Sequence, residues 1–210
     1  MKLNFLIDPG HGGRFTGAVS RGVQEKDINL NVASLLQREL SRKGVFAGMT
    51  RLADYSLRDD LQEDLQERCN IEHMSRPDLT ISIHCNQSEH ESAGGFEIFT
   101  SPGETDSDEF ATEILESFAK RFPDIRLRKD LSDGDPDKEA KFKILTGTNG
   151  PAVLVELCFL SNDFEREWIL NPETQQAVAE AICSGVVGQF TNMCKLCGDN
   201  YSGNCRACLG

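Results

Sequence analysis

Two histidines of this chain stand where a short apolar run gives way to small or polar residues. His11 lies in Ile7-Asp8-Pro9-Gly10-His11-Gly12-Gly13, and His84 in Ser82-Ile83-His84-Cys85-Asn86. The glycines around His11 make a side-chain-poor loop on which backbone can pass close to a ligand or a metal. Alone, that string fits a hydrogen-bonded structural histidine better than a ligand. A second histidine at the carboxyl end of a second strand strengthens the metal reading, because sites of open α/β sheets collect there. A hydrolytic zinc takes three ligands of the His/His/carboxylate type and keeps its fourth position for water. Glu25, in Gly22-Val23-Gln24-Glu25-Lys26-Asp27, can supply the carboxylate. Read locally, it is first an acid complementing a helix dipole.

Hydrolysis at such a site also needs a general base that is not a ligand. The run Pro151 to Asn162, PAVLVELCFLSN, is apolar except for Glu156 in its first half. An acid in a buried strand must be paired, hydrogen-bonded or functional. Glu156 is therefore the candidate base, expected with the two histidines at a strand end.

These groups need a sheet to hold them. Short apolar runs predict strands over Leu3 to Asp8, Val45 to Arg51, Leu79 to His84, Gly95 to Thr100, Phe142 to Thr146 and Ala152 to Leu157. Helical periodicity fills the gaps, which predicts an α/β single domain: a twisted, mixed, mostly parallel sheet flanked by helices. The first helix is expected from Asp27 to Lys43, stopped by Gly44. A second is expected from Ser56, with Ser56 as N-cap and Asp59 three residues on. A third spans Ser107 to Arg121, and a last one runs from Asn171-Pro172 to about Phe190. The stretch Asp130 to Glu139 carries alternate aspartates but has Lys138 where a calcium loop needs glycine, and it reads as a solvated acidic loop.

Composition narrows the function. The 210 residues carry 22 Lys+Arg against 34 Asp+Glu, a formal charge of −12, which repels nucleic acid and anionic membranes. No run of 18 apolar residues is present, so no membrane span is expected. The opening stretch, halted by Asp8, is too short for a signal-peptide core. Nothing in the sequence sets an oligomeric state.

Seven segments, in order, carry a resemblance across about Lys2 to Phe190. They are IDPGHGG (7–13), EKDINL (25–30), TR (50–51), LQERCNI (65–71), SIHCN (82–86), GGFEIF (94–99) and PAVLVELCFLSN (151–162). The chain resembles the zinc-dependent N-acetylmuramoyl-L-alanine amidases of the Amidase_3 family. The resemblance implies zinc on His11, Glu25 and His84, with Glu156 as acid/base, and peptidoglycan as substrate. The bond cut would be the amide between N-acetylmuramic acid and L-alanine. Asn86 is expected either to orient the site or contact substrate, or to end its strand as a turn residue. Two positions depart from the family pattern, Cys85 and Cys158. Strand alternation sets Cys158 on the face of Glu156, where it reads as a packed residue or a competing soft ligand.

Residues 191–210 form a cysteine-rich tail. Cys194, Cys197, Cys205 and Cys208 make C-x2-C-x7-C-x2-C, which can close a second, structural zinc site of four thiolates. A short catalytic domain with such a module fits a phage endolysin or a mother-cell lysis enzyme. It would reach the wall through a holin, cell lysis or nonclassical export. The alternatives are a non-catalytic binder of wall precursors and a zinc hydrolase for a different amide.

Overall fold

A computed structural model of the chain describes residues 3–196, with side chains to residue 189. Cys197, Cys205 and Cys208 lie outside the described residues, as does the side chain of Cys194, so the expected tail clip falls outside this description.

Six strands form the main sheet: β1 (Asn4–Pro9), β4 (Phe46–Met49), β5 (Leu79–Asn86), β6 (Glu97–Thr100), β7 (Lys138–Glu139) and β8 (Ala152–Phe159). Their spatial order is β4-β1-β5-β8-β6-β7, parallel throughout except where β6 runs against β8. Two short strands, β2 (Val19–Ser20) and β3 (Val23–Gln24), form a separate hairpin. The mixed, mostly parallel sheet is the one expected.

Residues pointing to one face, Phe5, Ile7, Ile81, Ile83, Val153 and Val155 among them, build the main core. Three helices cover that face: α1 (Glu25–Arg42), α3 (Asp106–Arg121) and α6 (Pro172–Leu196). They contribute Ile28, Val32 and Leu36, Phe110 and Ile114, and Val178 and Ile182, each set at helical spacing. The other face is only partly covered, by α2 (Leu61–Ser75) and α4 (Lys143–Thr146). There Ile144 and Leu145 pack on Ala152 and Leu154 with Phe99 against them. This uneven covering leaves the carboxyl half of the second face open, and the site lies there. No helix among the described residues is long and apolar enough to cross a membrane.

Four local expectations are corrected. Phe142 to Thr146 is not a strand: Lys143–Thr146 is the short helix α4. Beside β6 the sheet edge is already taken by β7, so this apolar run lies over the sheet and buries Ile144 and Leu145 instead. The second helix starts at Leu61, capped by Asp60 rather than Ser56, because the Asp64 carboxylate accepts the amides of Leu57 and Arg58 and holds that segment outside the helix. A helix absent from the sequence reading, α5 (Asp163–Leu170), is capped by the Asn162 side chain. The acidic stretch is not wholly solvated either. Its Asp137 is buried and accepts a hydrogen bond from Thr100, and burial with the neighbouring Asp135 carboxyl pushes it up to about 7.

Candidate metal centre

His11 leaves the end of β1 with a left-handed backbone (φ 63°), which throws its imidazole over the open face. Glu25 is the first residue of α1, and the β2–β3 hairpin returns it to the sheet. His84 lies near the carboxyl end of β5. Glu25 joins the two histidines: its Oε1 is 2.9 Å from His84 Nδ1 and its Oε2 is 3.2 Å from His11 Nε2. The rings stand edge to face with centroids 5.0 Å apart. One donor atom from each of the three residues lies within 4.8 Å of the other two.

Glu25 is buried and charged. Burial by itself would raise its carboxyl, but hydrogen bonds and charge from His11 and His84 outweigh that and hold it far below the usual carboxylate range. It also accepts from the backbone amides of Cys85 and Ala18 and from the Asn29 side chain. A fixed carboxylate between two imidazoles is the donor set of a hydrolytic zinc, and the surroundings leave space for it. A Cβ on Gly10 would come within 2.2 Å of the His84 ring, and one on Gly17 within 2.3 Å of Glu25 Oε2. The residues present therefore fit a zinc ion. Substituting Gly10→Ala should displace His84 and weaken metal retention by about tenfold or more, read by competition with a chromophoric chelator. Unchanged retention would mean that the His84 ring position is not critical.

Buried polar residues fix the loop that carries His11. Arg68 of α2 donates to Asp8 (2.6 Å) and Asp64, and to the carbonyls of Pro9 and His11. Arg51 donates to the carbonyls of Pro9, Gly10 and Lys26. Lys26 reaches the Gly13 carbonyl and Asp54, and Asn29 reaches the Gly10 carbonyl. Asp8 accepts further from Thr50 and Ser82. Burial opposes its charge, but Arg68 and these hydroxyls hold its carboxyl below the ordinary range. Of these supporting residues only Asp8, at the end of the apolar run Phe5-Leu6-Ile7, stands out in the sequence; Asn29, Arg51 and Arg68 lie in polar segments and gain their roles only from the fold.

Glu156 lies in the middle of β8, not at a strand end, and pairs in register with His84 of β5 on one side and Glu97 of β6 on the other. Its Oε2 is buried and has no hydrogen-bond partner among the described residues. Burial first, then the charges of Glu25 and Glu97, push its carboxyl well above the usual range. It lines a cavity of about 270 Å³ with His11, His84, Phe15, Leu65 and Phe142. Asn86 ends β5 and donates to Glu97 at 3.5 Å. Cys158 is not beside the metal donors. The register shift between His84 and Asn86 puts an extra β8 residue opposite β5 and turns Cys158 into the main core, where its thiol meets that of Cys85.

The N-acetylmuramoyl-L-alanine amidase family model, Amidase_3, matches residues 5–187. The chain belongs to that family. It is 32% identical over 181 residues to the uncharacterised protein YqiI of Bacillus subtilis, covering 86% of this chain and 81% of that one. It is also 28% identical to the germination-specific N-acetylmuramoyl-L-alanine amidase of Bacillus subtilis, over 88% of this chain and 78% of that protein. The CwlD amidase of Clostridioides difficile, solved in complex with the GerS lipoprotein, superposes with a TM-score of 0.81 at 27% identity. That match covers 91% of this chain and all (100%) of that one. The amidase fold, the enzyme class and hydrolysis of a peptidoglycan amide are thus as expected from the sequence.

Proposed function

We propose that this amidase cuts the bond between N-acetylmuramic acid and L-alanine with zinc held by His11, Glu25 and His84 and with Glu156 as acid/base. The observation that carries the reading is the free Glu156 Oε2, buried at the wall of the cavity in register with His84. When bound, zinc supplies Lewis acidity that polarises a carbonyl and acidifies water toward a pKa of about 7. Burial and the charges of Glu25 and Glu97 raise the Glu156 carboxyl, and the positive charge of a bound ion would offset that rise, so that Glu156 can take a proton from the attacking water at Oε2. The hydroxyl adds to the lactyl carbonyl carbon, the C–N bond breaks, and Glu156 passes the proton to the departing alanine nitrogen, leaving a carboxylic acid and a free amine that ionise to a carboxylate and an ammonium. Asn86, on the face of His84, orients the peptide side of the site.

Both metal and bond are tested together. Dialysis against chelator should abolish release of L-alanine amino ends from peptidoglycan with no new reducing ends at any stage, and one equivalent of zinc at the centre should restore it. Full activity of metal-free protein would overturn the zinc reading, and new reducing ends would overturn the bond assignment. The intact ligand set and Glu156 weigh against a non-catalytic precursor binder. Residues 1–190 then form the catalytic domain. The tail, through Cys194, Cys197, Cys205 and Cys208, holds a second structural zinc, so purified reduced protein should carry two zinc ions per chain.

A further inference from the structure

The opposite flank of Glu156 from His84 carries an unusual charge arrangement for a chain of net charge −12. Glu97, on β6, is directly across from Glu156, so the two side chains share the open face. Glu97 Oε1 accepts from Arg128 Nε and lies 3.3 Å from Lys138 Nζ. One carboxylate oxygen therefore serves two cations. Lys138 shares the face too, because it pairs in register with Phe99, two residues beyond Glu97. Its ammonium lies 5.7 Å from the Phe99 ring centroid, and the Arg128 guanidinium 5.1 Å from that of Phe159. These rings fix the cations without neutralising them. Glu165 is also near Arg128, but its carboxylate is occupied by the backbone amides of Phe159 and Gly95.

The two cationic side chains remain 28% and 25% exposed, whereas Glu97 between them is 4% exposed. Both cations are therefore more accessible than the carboxylate they share, and the Arg128 guanidinium has N–H groups beyond the Nε that it gives to Glu97. A largely apolar wall adjoins the Lys138 ammonium: Phe142 meets the Phe99 ring edge to face, and Ile144 and Leu154 pack with it.

We propose that Arg128 and Lys138 form a carboxylate subsite for an acidic residue of the peptide, beyond the alanine released at Glu156. The inference rests on the amidase reading and places the peptide over β6 and β7. Because the recognising groups are cations, the subsite selects peptides whose acidic residue is free over those in which it is amidated.

The test uses zinc-loaded Glu156→Gln protein, titrated calorimetrically with two muramoyl dipeptides that differ only in a free or amidated carboxyl on the second residue. The free acid should bind about tenfold tighter, as expected for charge-assisted hydrogen bonds. The double substitution Arg128→Gln with Lys138→Gln should erase that preference, while Arg128→Lys, which keeps the charge and loses the planar group, should keep only part of it. Equal affinity for both ligands before substitution, or a preference that survives the double substitution in protein with unaltered melting, would overturn the subsite. Turnover by the unsubstituted enzyme is a separate reading: failure to cleave either ligand would count against the muramoyl–alanine bond and leave the binding result to decide the subsite.

Discussion

Replacing Glu156 with Gln is expected to cut the turnover of this amidase by about 10²–10⁴-fold, the span of a positioned general base. The exchange keeps size and shape and removes only the capacity to take and return a proton. Because Glu156 Oε2 has no partner to lose, folding should be untouched. Metal content should also persist, since His11, Glu25 and His84 form the donor group without Glu156. The experiment is a comparison of released alanine amino ends, zinc per chain and melting temperature for the two proteins. A variant with full turnover would remove Glu156 from the mechanism. A variant that loses zinc would make Glu156 part of the metal site instead.

Arg68→Ala should produce the largest loss of stability, about 3–5 kcal/mol at neutral pH, the cost of leaving a buried charge without its partner. Arg68 holds Asp8 and Asp64, both buried, and the carbonyls of Pro9 and His11. The loss should be accompanied by weaker metal retention, since the His11 loop loses its grip. pH gives a second readout. The Asp8 carboxyl is lowered in the folded protein, so its stabilising contribution is present above the unfolded carboxylate pKa of about 4 and is lost as the pH falls. The difference between the two proteins in urea unfolding should therefore narrow on acidification. A difference below about 1 kcal/mol at pH 7 would show that water replaces the guanidinium at little cost.

Three of the four candidate site residues were legible because their settings are abnormal. Two histidines at strand ends, and an acid inside PAVLVELCFLSN, cannot be explained by core packing. Glu25 was harder, since an acid at a helix start has an ordinary local explanation. Only its meeting with His11 and His84 distinguishes it. Element ends were misread where a side chain from elsewhere captured the backbone, as Asp64 does with Leu57 and Arg58. Phe142 to Thr146 had the composition of a strand, yet β7 already pairs with β6 and the run packs Ile144 and Leu145 over the sheet face instead.

The sequence by itself determined the α/β class and the family and singled out the four residues proposed here as metal donors and acid/base, because these depend on residue type and order along the chain. Tertiary structure alone decided three further matters. It put Glu156 in the middle of its strand between His84 and Glu97, turned Cys158 away from the metal donors through a register shift, and gathered Arg128 and Lys138 about one carboxylate. Each depends on which strand lies beside which and in what register. Pairing between residues tens of positions apart is set by the closing of the whole sheet, and no local pattern encodes it.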